Sequence, residues 1–427
     1  MRIWLITPGE PLPIDSGAQR LFRHGILANY LLERGHTVAR WASAFNHYEK
    51  RQRVHEDTRI EVSPGYAIWL LHAPEYVKNV SLARYRHLCR LAEKFASIAT
   101  LEEKPDIILC SIPSVEIADE AASYAENAGI PLVLDCRDMW PDVILFKAPG
   151  VLRPLAKLAL SPMSRKLKRA CSMAKAITGH APAFVDWGLS HAGRERTGFD
   201  RDFPFGYDPS EPKPAQRAEA ESFWDEMGIR RSSNEFTVCY IGAISQHVRL
   251  DSALEAARGL NGKHPVRFVF CGVGDKLERY RDQSKNLENV HFTGWVASPH
   301  IWTLLRRSDL ALFAMANNPN YITNIPNKVA EYLSAGLPIA TTLGTGTLHD
   351  MLLEHDCGFC YTDDAKTLAE RITQLCADDA RKKRLSENAA DLFESRFRAD
   401  KVYVEMVEYL REIAEIGSPE RELAYTR

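Results

Sequence analysis

Short apolar runs recur along the chain and are separated by longer segments with helical periodicity. In the first half the predicted strands are Arg2–Ile6, His36–Trp41, Asp106–Cys110, Pro131–Cys136 and Lys175–Gly179. In the second half they are Phe236–Gly242, Val266–Gly272, Val290–Trp295, Leu310–Met315, Pro338–Leu343 and Gly358–Tyr361. Continuous apolar strands linked by helices are typical of parallel sheets covered on both faces. The pattern therefore predicts an α/β protein with two doubly wound, Rossmann-like parallel sheets.

The two series of strands are separated by a stretch rich in proline, glycine and charge, GFDRDFPFGYDPSEPKPAQ. This composition is typical of a segment between domains. We therefore expect an N-terminal domain over residues 1–197, an interdomain linker region over 198–235 and a C-terminal domain over 236–398. The last helix, within 399–427, is long enough to return to the first domain. Because ligands bind at the carboxyl ends of strands in such sheets, we expect the two domains to face each other across a cleft.

The composition narrows the class of protein. The net charge is only −2, from 54 basic and 56 acidic side chains, and gives no indication of nucleic-acid binding. The apolar runs fall short of the ~18 residues of a membrane span, and the start, MRIWLITPGEPLP, lacks the apolar core of a secretory signal. Several of the nine cysteines lie inside apolar runs, which is typical of a reducing compartment. We expect a cytoplasmic protein that at most contacts the inner face of the plasma membrane.

The segment NNPNYITNIPNKVAEYLSAGLPIATTLGTG carries the most informative chemistry. It predicts a helix between two strands, with Thr323 or Asn324 as its cap, so that the start of the helix lies at the carboxyl edge of the sheet. Free N–H groups at a helix start attract anions, and Lys328 adds a full charge there. Glu331 lies on the same helix face and could accept hydrogen bonds from a ribose diol. An ordinary crossover helix with a solvated Lys–Glu pair has the same spacing, so the pattern alone leaves both readings open.

The stretch PNKVAEYLSAGLPIA resembles the donor-binding signature of the family-4 retaining glycosyltransferases of the GT-B fold. More narrowly, it is similar to bacterial enzymes that build O-antigen, lipopolysaccharide and capsule sugars. Further matching stretches follow in the family's order: PGEPLPIDSGAQR, ERGHTV, VLDCRDMWPD, YIGAISQHVRLDSALEAA, FCGVGDKLERY and NVHFTGWV. The resemblance covers nearly the whole chain and is weakest over Asp57–Ala99 and the linker.

The resemblance implies a set of site residues. Glu331 would bind the donor ribose, and Lys328 would stabilise the departing diphosphate, so both are assigned to the catalytic site together with Asp138. The implied donor-binding residues are Gly17, Gly242, Arg249, Gly272, Gly274, Trp295, Val296, Thr323, Asn324, Ile325, Lys328 and Glu331. The implied acceptor-binding residues are Gly17, Arg137 and Asp138. The residues themselves leave simpler readings open, because Gly17 is also typical of a turn and Arg137 of a strand-end salt bridge with Asp138 or Asp135.

Two positions depart from the family pattern. Many members have a glutamate eight positions before Glu331, where this chain has Thr323, so the donor sugar must be held differently. The family's Arg and Lys around the first turn of the donor domain correspond here to Ala243 and Val248. We expect the neighbouring Arg249 and His247, together with Lys328, to supply the missing charge.

The implied reaction moves a hexosyl or N-acetylhexosaminyl group from a nucleotide-diphosphate sugar, which we expect to be UDP-linked, to a lipid-linked saccharide. No cofactor or metal is expected, since Asp363 and Asp364 are predicted to cap a helix rather than to form a metal motif. The basic and apolar stretch 151–175 would suit either peripheral membrane contact or a solvated helix pair. Two alternatives remain: a UDP-sugar 2-epimerase-like enzyme, which needs no acceptor, and a nucleotide-sugar-binding protein without turnover.

Overall fold

The computed structural model of the protein describes residues 1–16, 20–231 and 235–416, so the predicted site residue Gly17 lies outside the described residues. The chain forms two compact units. The first contains Met1–Pro204 and the last helix from Lys401 onward, and the second contains Phe205–Asp400. Each unit is built on one large, mostly parallel sheet, which confirms the predicted pair of Rossmann-like domains.

The first unit contains an eight-stranded sheet in the order β10-β9-β8-β7-β1-β2-β6-β5. Its strands and a small β3–β4 hairpin are β1 (Arg2–Ile6), β2 (Thr37–Ser43), β3 (Phe45–Asn46), β4 (Arg51–Gln52), β5 (Thr58–Ser63), β6 (Tyr66–Leu71), β7 (Ile107–Ile112), β8 (Leu132–Cys136), β9 (Ala176–Gly179) and β10 (Arg201–Asp202). Only β5 runs antiparallel to its neighbour in the large sheet. The helices are α1 (Arg23–Glu33), α2 (Leu82–Ile98), α3 (Val115–Ala128), α4 (Asp142–Lys147), α5 (Arg153–Ala159), α6 (Ser161–Met173) and α7 (Pro182–Ala192).

Strands β5 and β6 were not predicted. The β6 sequence, YAIWLL, is a continuous buried apolar run, whereas β5 alternates between half-buried and exposed residues as an edge strand does. The core beside them is aromatic: Trp4 packs on Trp41 with ring centres 5.0 Å apart, and Trp41 packs on Phe95 at 4.9 Å. Each such pair contributes ~1 kcal/mol beyond the area it buries.

The second unit contains a six-stranded parallel sheet in the order β13-β12-β11-β14-β15-β16. Its strands are β11 (Phe236–Ile241), β12 (Val266–Cys271), β13 (Val290–Gly294), β14 (Leu310–Phe313), β15 (Ile339–Thr341) and β16 (Gly358–Cys360). Its helices are α8 (Pro214–Glu226), α9 (Asp251–Leu260), α10 (Leu277–Gln283), α11 (Ser298–Arg307), α12 (Pro319–Ile322), α13 (Asn327–Ser334), α14 (Thr347–Glu354), α15 (Ala365–Ala377) and α16 (Asp379–Leu392), followed by a π-helical turn at Phe393–Phe397. The strand order reverses between β11 and β14, and the carboxyl edge at such a point is where ligands bind.

The segment predicted as a linker, 198–235, takes part in both units. Strand β10 extends the first sheet, and α8 packs on α11 of the second unit. Trp224 of α8 is fully buried, and its indole N–H donates to the carbonyl of His300 at 2.9 Å. Ala220 and Trp224 lie one helical turn apart and form the buried face of α8, which is too short an apolar pattern to stand out within a stretch rich in proline and glycine.

The last helix, α17 (Ala399–Ile416), belongs to the first unit from Lys401 onward. Its Tyr403 stacks on Tyr30 with ring centres 5.6 Å apart, and the hydroxyl of Tyr409 donates to the carbonyl of Phe199 at 2.7 Å. Neither α17 nor any other helix in the described part of the chain combines the length and the apolar character needed to cross a membrane.

Candidate functional site

The start of α13 is uncapped by side chains. The helix begins at Asn327 after Pro326, and no side chain accepts a hydrogen bond from its first turn. The prediction that Thr323 or Asn324 caps it is wrong, because Pro326 occupies the position before the helix and the Thr323 hydroxyl donates to the carbonyl of Pro319 at 2.8 Å. The first-turn N–H groups of Asn327 and Lys328 are therefore available to an anion, whereas that of Val329 donates to the carbonyl of Pro326 at 2.9 Å.

Lys328 lies in that first turn and is directed toward the end of β11. Its Nζ donates to the hydroxyl oxygen of Tyr240 at 3.4 Å and lies 4.7 Å from the centre of the Tyr240 ring. Lys328 makes no ion pair with a residue of the described ranges. Burial lowers the pKa of Lys328 to about 8, although the negative charge of Glu331 acts in the opposite direction. A half-buried cation without a paired carboxylate is suited to bind an anionic ligand.

The hydroxyl of Tyr332 holds α13 in place. It accepts a hydrogen bond from the backbone N–H of Ile241 at 2.9 Å, so the helix is tied to the last residue of β11. Glu331, the preceding residue, is only 8% exposed. The helix thus places Lys328 and Glu331 at the carboxyl edge, near the point where the strand order reverses.

Glycines let three loops meet at this edge. Gly242 (φ 137°) and Gly272 (φ 145°) follow β11 and β12, and a Cβ atom at Gly272 would overlap the carbonyl oxygen of Gly242. The Gly242 N–H donates to Cys271 at 2.9 Å, and the Gly272 N–H donates to Gly294 at 2.7 Å. A Cβ atom at Gly242 would lie 2.5 Å from Nζ of Lys328. Because these glycines have no side chain, the lysine can approach the backbone closely. Their φ angles are also ones that glycine adopts far more readily than other residues.

The other predicted donor residues lie on loops of the same edge. The Arg249 side chain is exposed, and its backbone N–H donates to the carbonyl of Ala314, just after β14, at 2.9 Å. Trp295 follows β13 and is 73% exposed, and Val296 beside it is half-buried. Gly274 follows Gly272, and a Cβ atom there would overlap the carbonyl of Ile244. The segment Thr323–Ile325 leads into α13, with Ile325 buried and the other two half-buried.

In the first unit, Arg137 has a partner that the sequence did not predict. Its guanidinium forms an ion pair with Glu10 and donates to the hydroxyl of Ser111 at 2.9 Å, while Asp135 lies 3.9 Å away. Arg137 is therefore part of a structural charge network at the end of β8, and its charge is already compensated. Asp138 follows it and is half-buried.

Glu10 is the centre of this network. It is 4% exposed, accepts from Arg40 at 3.1 Å and from the backbone N–H groups of His24 and Gly25 at 3.2 and 3.3 Å. Burial raises the pKa of a carboxyl, but the charges of Arg137, His24 and Arg40 lower the pKa of Glu10 to about 2. The only sequence signal for this role is its position in the loop directly after β1, which the motif PGEP does not distinguish from a turn.

No group of three or more metal-ligating side chains occurs within the described residues. Asp364 caps α15 by accepting from the N–H of Thr367 at 2.7 Å, which confirms the predicted cap, and Asp363 accepts from the Ser252 hydroxyl at 2.6 Å. Both carboxylates therefore already take part in local hydrogen bonds.

One protein family and several solved structures are similar to this chain. Residues 224–392 match the family described as glycosyl transferases group 1. The match begins within α8 and ends with α16, so it covers most of the second unit. It supports the sequence resemblance at the level of a GT-B glycosyltransferase. Comparison with curated protein sequences found no match.

Solved structures resemble the chain over almost its whole length. HepE of Anabaena in complex with UDP is 16% identical, with a TM-score of 0.64 over 96% of this chain and 99% of that chain. Sucrose-phosphate synthase from Thermosynechococcus elongatus is 16% identical, with a TM-score of 0.68 over 96% and 98%. WaaG, a glycosyltransferase involved in lipopolysaccharide biosynthesis, is 16% identical, with a TM-score of 0.63 over 96% and 99%. The chain has the GT-B fold.

Proposed function

We propose that the protein is a retaining glycosyltransferase that transfers a sugar from a UDP-linked donor to a lipid-linked saccharide in surface polysaccharide synthesis. The observation that carries the proposal is Lys328, a cation without an ion pair at an uncapped helix start, lying against the glycine loop after β11. A diphosphate is the anion that fits this position, and Glu331 one turn further along is suited to a ribose diol. The match to glycosyl transferases group 1 and the UDP and UDP-glucose complexes of HepE support the same class of donor.

The proposed reaction breaks the bond between the anomeric carbon and the donor diphosphate. The acceptor hydroxyl oxygen forms the new bond on the same face and loses its proton, and we assign Asp138 to orienting or deprotonating that hydroxyl. The departing diphosphate gains negative charge, which Lys328, Arg249 and the N–H groups of α13 stabilise without a metal ion. Trp295 and Val296 are assigned to the base, and Thr323, Asn324 and Ile325 to the sugar.

The surface of the first unit supports an acceptor that is held at a membrane. Within 146–158 five large apolar side chains are exposed, including Val151 at 89% and Leu158 at 71%. The stretch from Arg153 to Arg169 contains six basic and no acidic residues, although Arg169 is paired with Asp119 outside the stretch. Apolar side chains next to basic ones suit an anionic lipid surface, where each basic residue contributes ~1 kcal/mol. We propose that segment 151–175 contacts the inner face of the plasma membrane.

Calorimetric titration of the full chain with UDP, GDP and ADP in the presence of EDTA tests the donor site. We expect UDP to bind without metal, Glu331→Ala to abolish the binding, and the exposed control Glu354→Ala to leave it unchanged. A folded protein that binds none of the three nucleotides would contradict the proposal. Incubation with UDP-sugars then separates the alternatives: new sugar products without acceptor indicate an epimerase, and binding without turnover on any lipid-linked acceptor indicates a binding protein.

A further inference from the structure

A group of cationic and aromatic side chains at the carboxyl edge of the first sheet has no role in the donor chemistry. Lys50 comes from the hairpin turn after β2, Tyr76 and Asn79 from the loop after β6, Arg84 from the first turn of α2, and Trp140 from the loop after β8. We call these five residues the Lys50–Arg84 cluster. Because their loops follow parallel strands, they lie at the edge where ligands of such sheets bind.

The two cations of the cluster meet at Asn79. Lys50 donates to the side-chain oxygen of Asn79 at 2.8 Å, and Arg84 donates to its backbone carbonyl at 2.6 Å. Aromatic rings flank both: Nζ of Lys50 lies 4.7 Å from the centre of the Tyr76 ring, and the guanidinium carbon of Arg84 lies 5.3 Å from that of Trp140. The ring faces hold the cations in place without neutralising their charge.

The cluster has more donors than the two oxygen atoms of Asn79 can satisfy. Neither Lys50 nor Arg84 forms an ion pair with a residue of the described ranges, and two buried donors, Nε of Arg84 and Nε1 of Trp140, have no hydrogen-bond partner there. The charge of Arg84 acts to lower the pKa of the Glu116 carboxyl, but burial has the larger effect and raises that pKa. Buried donors normally find an acceptor, so the arrangement suits an anion with several oxygen atoms.

The backbone at Lys50 is held in an uncommon conformation. Its φ angle is 55°, in the left-handed region that residues other than glycine rarely adopt. Asn46 holds the turn by accepting from the N–H groups of Tyr48 and Glu49 at 2.9 and 3.1 Å. Such conformations concentrate at functional sites, and here the turn directs Lys50 toward Asn79.

We propose that Lys50, Arg84 and Trp140 form a phosphate-binding site that holds the phosphate or diphosphate group of the acceptor. The phosphate site stands on the cluster itself, and its assignment to the acceptor rests on the proposed function. Arg137 does not fill this role because Glu10 already compensates its charge. Apolar side chains next to the cluster, Val77, Val80 and Leu82, are exposed and suit the lipid part of the same molecule.

The test is binding of inorganic pyrophosphate to the full chain, titrated by calorimetry after the donor site has been saturated with UDP. We expect wild type to bind and the double variant Lys50→Ala/Arg84→Gln to bind at least about tenfold more weakly, because two charge-assisted contacts are lost. Arg86→Gln, which removes an exposed charge on the same helix, should bind like wild type. The single variant Lys50→Ala should give part of the loss if the double variant fails to fold.

Two further arms separate the site from the proposed function and identify the source of the phosphate. If UDP does not bind, the titration without UDP still compares the variants, so the phosphate site and the donor site fail independently. Cosedimentation with phosphatidylcholine vesicles, with and without phosphatidic acid, reports on binding to lipid phosphate. If capture by the vesicles depends on Lys50 and Arg84, the site binds the phosphate of a lipid. If the double variant is captured as well as wild type, the site binds a water-soluble phosphate compound. Equal pyrophosphate affinity of wild type and the double variant, or no binding by wild type, overturns the proposal.

Discussion

The ammonium nitrogen of Lys328 lies 3.4 Å from the hydroxyl oxygen of Tyr240, although 88 positions separate the two residues in the sequence. A neutral phenol is thus the hydrogen-bond partner of this half-buried cation. Burial raises the pKa of Tyr240, so the phenol stays protonated at neutral pH and does not neutralise the lysine. The charge of Lys328 therefore remains available to a ligand, at the cost of a lowered pKa.

The first prediction concerns pH. Because the pKa of Lys328 is about 8, the site is charged below that pH and loses its charge above it. UDP affinity should therefore fall about twofold from about pH 7 to about pH 8 and then by up to about tenfold per pH unit. Lys328→Met should bind UDP at least about tenfold more weakly at neutral pH and show no such fall. Calorimetry across this range tests both expectations.

The control for that series is Lys366→Met, which removes an exposed lysine of the same unit. It should reproduce the wild-type affinity and pH profile. A wild-type affinity that does not change between about pH 7 and about pH 10 would mean that Lys328 does not contact the nucleotide.

The second prediction concerns the glycine loops. Gly272→Ala places a Cβ atom into the carbonyl oxygen of Gly242 at a φ angle of 145°. The loops after β11 and β12 must then separate. We expect the free energy of unfolding to fall by at least ~2 kcal/mol and UDP binding to be lost. Gly259→Ala is the matched control, since its Cβ atom meets nothing within 4 Å in α9, and it should stabilise by ~0.5 kcal/mol. Thermal unfolding with and without UDP measures both, and equal melting temperatures for the two variants would refute the argument.

The third prediction concerns Glu10. Its pKa of about 2 lies below the ordinary value of 4.5, so the carboxylate stabilises the fold fully above about pH 4.5, and this contribution is lost as the pH falls toward 2. The difference corresponds to ~3 kcal/mol. Glu10→Gln leaves buried Arg40 without its counter-charge and leaves half-buried Arg137 with only Asp135 at 3.9 Å, and we expect a loss of about 3 kcal/mol at neutral pH.

Thermal unfolding between about pH 7 and about pH 3 tests this. Wild type should lose stability on acidification more steeply than Glu10→Gln, and the exposed control Glu33→Gln should follow wild type. Parallel acid profiles for wild type and Glu10→Gln would show that Glu10 is not the titrating group.

The fourth prediction concerns the membrane surface. Leu155→Asp and Leu158→Asp introduce negative charge into exposed apolar positions of segment 151–175. Binding to vesicles that contain anionic lipid should fall at least about tenfold, since apolar contact is lost and lipid charge is repelled, while UDP affinity stays unchanged. Leu101→Asp, at a comparably exposed position outside the segment, is the control. Vesicle binding that is equally weakened by Leu101→Asp would exclude a specific contact through 151–175.

Local sequence patterns predicted most of the fold. The apolar runs give β1 at Arg2–Ile6 as predicted, and the two series of strands form two parallel sheets. Strand β5 was missed because an edge strand that alternates in exposure resembles a loop in composition. Helix α8 was assigned to the linker because its buried side consists of only Ala220 and Trp224. In both elements few residues reach the core, but strand β6, which was also not predicted, is a mostly buried apolar run to which this reason does not apply.

The sequence by itself determined which charged residues lie at the carboxyl edges. The spacing of apolar residues predicts helices and strands directly, and it predicts the helix that contains Lys328 and Glu331. Only the tertiary structure decided what those charges meet. The pairing of Glu10 with Arg137, the approach of Lys328 to Gly242 and the meeting of Lys50 and Arg84 at Asn79 join residues from different loops. Such contacts depend on how loops after neighbouring strands pack, and sheet order, which no local pattern encodes, determines which loops are neighbours.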